Sequence, residues 1–110
     1  MKGTYLGEFE ELILLTVASL RQEAYAVKVR EDASSYGNRV INISAVHSAL
    51  YRLEDKGFLS SDFGGATAKR GGKQKRFFKV TNAGLAAIQN AKDIKEQIWK
   101  TIPQLSYTSI

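Results

Sequence analysis

The chain has no cysteine, a single histidine and a single proline. Without thiols there is neither a disulfide framework nor a thiolate metal site, and His47 alone cannot assemble a zinc centre. The expectation is a cytoplasmic protein with no metal and no cofactor. Long hydrophobic runs are missing too. The most apolar stretch, Leu12 to Leu20, is too short to cross a bilayer and contains Thr16 and Ser19. It also comes after Glu8, Glu10 and Glu11, where a secretion signal needs a basic start, so neither a membrane partner nor export is expected. Catalysis lacks its parts as well. His47 has no nucleophile and orienting group beside it, and Ser44 and Ser48 read more simply as a cap and a surface hydroxyl. No catalytic residue is assigned.

With Pro103 as the only proline and no Ser- or Pro-rich linker, nothing marks an internal boundary. A length of 110 residues with 44% hydrophobic content suits one compact core. Charge is unevenly placed within it. Residues 44–80 carry eight Lys/Arg against three Asp/Glu, whereas the segments on either side are nearly balanced. A solvated loop and a polyanion site both explain such a run, and the neighbouring helix is what separates them.

Leu6, Phe9, Leu12, Ile13, Val17 and Leu20 recur at helical spacing, and Leu14, Leu15 and Ala18 widen the stripe so that this first helix buries two faces. The surplus face packs either on a second subunit or centrally in a small helical core. A second helix is expected over Ala26 to Ser34 with Val27, Val29 and Ala33 inward, closed by Tyr36-Gly37-Asn38. The β-branched run Val40 to Ile43 reads as a short strand that adds to a later hairpin, with Ser44 as the N-cap of the next helix.

The third helix, Ser44 to Lys56 with Gly57 as its stop, is the most informative. Val46, Leu50 and Leu53 share one inward face, while His47, Ser48, Tyr51, Arg52 and Asp55 share the opposite one. That outer face offers donors, acceptors and one planar ring without an apolar patch, as a helix entering a DNA groove requires; a merely solvated face usually holds more Glu/Lys pairs. Phe58 to Phe63 and Lys75 to Val80 then form a hairpin around Gly64, Gly65, Gly71 and Gly72. Lys69, Arg70, Lys73, Lys75, Arg76 and Lys79 supply its charge with no acid between them. The loop lacks P-loop spacing, which argues against nucleotide hydrolysis. Thr81 N-caps a last helix running to about Thr101, with a narrow stripe of Leu85, Ile88, Ala91, Ile94, Ile98 and Ile102. Such a stripe resembles a coiled-coil seam and points to dimerisation; folding back over its own domain is the alternative.

The helix order, LYRLEDKGFL (Leu50 to Leu59), KRGGKQKRFFKV (Lys69 to Val80) and TNAG (Thr81 to Gly84) together resemble the PadR-like transcriptional regulators, over nearly the whole chain. The resemblance implies an α+β fold: a mostly helical winged helix-turn-helix with a two- or three-stranded wing and a C-terminal dimerisation helix. It also implies a homodimeric repressor. Residues 1–80 are expected to bind DNA and 81–110 to form the dimerisation helix and tail, in one compact domain overall. His47 stands where the family usually carries a tyrosine.

The expected DNA-binding residues are Ser44, Ala45, His47, Ser48, Tyr51 and Arg52 in the major groove, with Arg52 split between a base edge and a phosphate. Lys69, Arg70, Lys73, Lys75 and Arg76 are expected on the backbone of double-stranded DNA. Dimerisation is assigned to Leu6, Phe9, Leu85, Ile88, Ile94, Ile98, Trp99 and Ile102. Trp99 is also the candidate contact for a small aromatic effector, because some regulators that this chain resembles bind flat aromatic effectors between tryptophans; an interface anchor is its simpler role. The competing class is a winged-helix protein-interaction module that sets the basic wing on an acidic partner.

Overall fold

The structure is a computed structural model that describes residues 5–64 and 75–103. The loop residues Gly65, Lys69, Arg70, Gly71, Gly72 and Lys73 lie outside the described residues. Among the described residues, four helices and one hairpin run in the order α1 (Glu8–Leu20), α2 (Ala26–Gly37), α3 (Ile43–Asp55), β1 (Leu59–Phe63), β2 (Arg76–Val80) and α4 (Asn82–Trp99), with a 3-10 turn at Arg21–Glu23. Glu8, Glu10 and Glu11 occupy the first turn of α1, where negative charge complements the helix dipole. Helix α2 runs on to Gly37 because its reversal falls at Asn38, which takes the left-handed conformation at φ 53° that Asn tolerates.

The segment 40–43 is not a strand. Ile41 is only 4% exposed and its N–H donates to Ser34 Oγ at 3.2 Å, so residues 40–42 belong to the turn between two helices, pinned by one buried side chain, and Ile43 already begins α3. Its neighbour Asn42, not Ser44, is the N-cap of α3, with Oδ1 accepting from the Ser44 N–H at 2.7 Å. The place of a third strand is taken by residues 24 and 25. Tyr25 bridges to Phe77 and the Phe78 N–H donates to the Ala24 carbonyl at 2.8 Å, extending a two-stranded sheet by one rung. Val27, expected inward, is 47% exposed, while Val29 and Ala33 fill the core from α2 as expected.

Helix α3 buries Val46, Ala49, Leu50 and Leu53 completely against Ile13, Leu14 and Val17 of α1. Each large aliphatic of this stripe is worth ~1.5–3 kcal/mol of burial, more than the ~0–1 kcal/mol of an exposed ion pair, so apolar packing decides the orientation of α3. Gly57, at φ 84°, ends the helix, and the Phe58 N–H returns to the Leu53 carbonyl at 2.9 Å. The hairpin is antiparallel, pairing Leu59 with Val80, Ser61 with Phe78 and Phe63 with Arg76. Thr81 then caps α4: its Oγ1 accepts from the Gly84 N–H at 3.0 Å and donates to the Gly57 carbonyl at 2.6 Å. Of the α4 stripe, Ile88 is buried in the core of its own chain at 8% exposure, while every residue from Lys92 to Thr101 is exposed.

Candidate nucleic-acid interface

The outward face of α3 presents Ser44, Ala45, Ser48, Tyr51 and Arg52 as exposed residues, with His47 half-buried between them. One helical turn separates His47 from Tyr51, and their rings lie 5.9 Å apart, tilted by 33°. The face combines hydroxyls, an imidazole and one methyl group, a set able to donate to and accept from base edges and phosphates.

Two of the cations expected on DNA have partners within the chain. Arg52 Nε donates to Glu10 Oε2 at 2.8 Å, and Lys56 Nζ donates to Glu10 Oε1 at 2.6 Å, joining the first turn of α1 to the last turn of α3. Arg76 Nη2 donates to Glu54 Oε1 at 2.9 Å, and Arg76 Nε donates to Ser61 Oγ at 3.0 Å, while the same Ser61 hydroxyl donates to Glu54 Oε2 at 2.7 Å. The Arg76 guanidinium also lies 5.1 Å from the centre of the Tyr51 ring, 5.6 Å from Phe78 and 5.9 Å from Phe63. It is the joint between wing and helix. Lys75 is exposed, with Nζ 4.2 Å over the Tyr25 ring, and Lys79 is exposed on β2.

Glu10 is 7% exposed. Burial pushes its carboxyl up, but the hydrogen bonds from Lys56, Arg52 and the Gly7 N–H together outweigh this and hold it below the usual glutamate range. A carboxyl depressed in the native state contributes stability that is complete above its unfolded pKa, about 4.3, and is lost as pH falls through the lower native value. The gap in urea midpoint between wild type and Glu10→Gln is therefore expected to be widest at neutral pH and to narrow below about pH 4. A gap of constant width down to pH 2 would show that the ion pairs contribute nothing through charge.

Sequence reasoning missed Glu10, Glu54 and Ser61 as organisers of this surface. A signal existed in the spacing of Arg52 and Lys56, two cations four residues apart on one helix with an acid-rich turn elsewhere. Of the residues assigned to dimerisation, Leu85, Ile94, Ile98 and Trp99 are each at least half exposed, with Ile94 lowest at 50%. Leu6 and Phe9 are half-buried on the core, and Ile102 is half-buried at the helix end. Beside them, Leu6, Ala83, Ala87, Ala91 and Ile94 line a groove of about 500 Å³ between the N-terminal segment and α4.

No family model and no curated protein matches the sequence. Solved structures do match its fold. A PadR-like transcription factor from Bacteroides fragilis superposes with a TM-score of 0.72 at 18% identity, over 86% of this chain and 85% of that one. The fold is that of the PadR-like transcriptional regulators. Two further PadR-like structures agree. The regulator from Bacillus cereus gives a TM-score of 0.70 at 14% identity, covering 88% of this chain and 89% of its own. The one from Eggerthella lenta gives 0.67 at 20% identity, covering 89% and 85%. In this winged-helix fold α3 leads directly into the β1–β2 hairpin, which is the wing. Among the described residues, no helix is long and apolar enough to cross a membrane.

Proposed function

We propose that the chain is a sequence-specific DNA-binding transcriptional regulator acting as a homodimer, a repressor released by a small-molecule effector. The observation that carries this reading is the outer face of α3, polar and free of acids from Ser44 to Arg52, locked to the wing through Glu54, Arg76 and Ser61. Helix and wing thus meet a duplex as one rigid surface, which lowers the entropy cost of docking. Lys75 and Lys79, with Lys69, Arg70 and Lys73 of the intervening loop, supply charge for the phosphates. The half-exposed Leu85, Ile94 and Ile98 support a dimer through α4, with the alanine-lined groove receiving the second copy. Trp99, 59% exposed on the same helix, is the proposed contact for a planar effector, read by quenching of its fluorescence.

The test is fluorescence anisotropy of a labelled duplex from the upstream region of the chain's own gene, beside a scrambled duplex, at several salt concentrations. The expected result is tighter binding to the native duplex, with log affinity falling steeply against log salt and most affinity lost when one half-site, ~34 Å from the other, is scrambled. Equal, weak binding to both duplexes with tight, salt-sensitive binding to an acidic protein would replace this reading with the protein-interaction module.

A further inference from the structure

We propose that Glu10 is a positioning residue for DNA binding: it holds the Arg52 guanidinium by Nε and so presents the two terminal nitrogens as an aimed fork to a backbone phosphate. This role rests on the DNA-binding reading and makes a residue of α1, outside the recognition helix, part of the binding apparatus.

A carboxylate as deeply placed as Glu10 requires a cation, and Lys56 already provides one. Its side chain is only 19% exposed, and its ammonium is fixed between Glu10 Oε1 and the Tyr5 carbonyl, each at 2.6 Å. The Gly7 N–H gives the same carboxylate a further bond at 3.3 Å. Arg52 is thus a second cation, beyond what neutralising Glu10 demands, and the cluster of one acid and two bases keeps one positive charge on the α3 surface. Geometry makes that charge directional. Glu10 engages Arg52 through Nε, while the Arg52 side chain stays 54% exposed, so the guanidinium is anchored at its inner edge and open at its outer one.

A planar guanidinium bonded at one edge still directs donors from its opposite edge in a fixed plane, whereas an ammonium drawn to Glu10 keeps its donors on a single nitrogen beside the carboxylate and does not extend them toward the phosphate. Anchoring also orders a long side chain before DNA arrives, so less freedom is lost on binding. Position supports the same role. Arg52 comes directly after Tyr51 and lies one turn beyond Ser48 on the face assigned to the groove, where a helix residue near the rim reaches the sugar-phosphate strand.

The decisive measurement is duplex affinity against salt for wild type, Arg52→Ala, Arg52→Lys, Glu10→Gln and the Glu10→Gln/Arg52→Ala double variant, with urea midpoints alongside. Arg52→Ala is expected to weaken binding ~10-fold and to reduce the salt slope by about 1. Arg52→Lys keeps the charge and is still expected to fall within ~2-fold of the alanine variant, because an ammonium held at Glu10 lacks the planar fork that reaches outward to the phosphate from its far edge. Glu10→Gln is expected to weaken binding ~3–10-fold with Arg52 present and less than ~2-fold without it, a coupling that a purely structural role does not produce. Arg52→Lys binding within ~2-fold of wild type, or Glu10→Gln costing the same in both backgrounds, would overturn the proposal. Should Glu10→Gln fail to fold, Arg52→Lys decides, since it leaves Glu10 a cation. Wild type without salt-dependent duplex binding would remove the DNA reading and this inference together; binding that is insensitive to these variants removes only the inference.

Discussion

Gly84→Ala is expected to lower the melting temperature by more than ~10 °C, while Gly37→Ala leaves it unchanged or raises it slightly. The two substitutions add the same methyl group to a helix. At Gly84 the new carbon would stand 2.2 Å from the Phe58 carbonyl oxygen and 2.8 Å from Val80 Cγ1. The first of these is backbone, and it is the acceptor of the Thr81 N–H at 3.0 Å, so it cannot retreat without undoing the entry to α4. The helix must lift away from the turn that joins α3 to β1. Overpacking of this kind costs ~1–3 kcal/mol and more against rigid backbone, and ~3 kcal/mol in a domain of this size corresponds to at least ~12 °C. At Gly37 the nearest side-chain atom is Leu12 Cδ2 at 3.6 Å, an ordinary contact, and the residue is exposed. Thermal unfolding monitored by circular dichroism checks both. A Gly84→Ala loss below ~3 °C would mean that α4 slides on Phe58 freely, and that α3 and α4 are not rigidly joined.

The same junction separates what is legible in the sequence from what is not. The stop at Gly57 and the cap at Thr81 are readable because each is set by local backbone chemistry within four residues. The stripe of Val46, Leu50 and Leu53 is readable because its period is that of the helix it forms. The run Val40 to Ile43 misleads because β-branched propensity leaves out the one fact that decides it: Ile41 is buried between two helices and Asn42 caps the second. Ile88 reads as part of a seam on spacing alone, yet tertiary packing places it in the core at 8% exposure, and periodicity cannot say which neighbour covers a stripe. The cations are least legible. Arg52 finds its acid 42 residues away and Arg76 finds its own 22 residues away, and local pattern shows at most the paired cations Arg52 and Lys56, never the acid they face. A basic residue near a candidate groove helix therefore reads as a phosphate contact until the fold shows which carboxylate it already faces.

Arg76 makes that distinction measurable, and its replacement is expected to weaken duplex binding ~10-fold while leaving the salt slope unchanged. A residue that contacts phosphate shifts the slope by about 1 when removed; a residue that orients others does not. Arg76 holds Glu54 on α3 and Ser61 on β1 simultaneously from β2, and its guanidinium lies over rings from both elements. With side-chain exposures of 37% and 29% the Arg76–Glu54 pair is partly screened, so about 1–2 kcal/mol is a fair share for its hydrogen bonds, with ~0.5–1 kcal/mol from the rings. Lost together, these let the wing rotate relative to α3, and the two halves of the proposed surface no longer fit one duplex. Glu54→Gln supplies the opposing test. If Arg76 were a phosphate contact restrained by Glu54, neutralising that acid would release it and tighten binding; as a brace, Glu54→Gln weakens binding and lowers the urea midpoint, as Arg76→Ala does. Arg76→Lys, with the charge but not the fork, is expected to recover less than half of the lost binding energy. Tighter binding by Glu54→Gln together with a shallower salt slope in Arg76→Ala would return Arg76 to the phosphate backbone and leave the wing held to α3 by apolar packing alone.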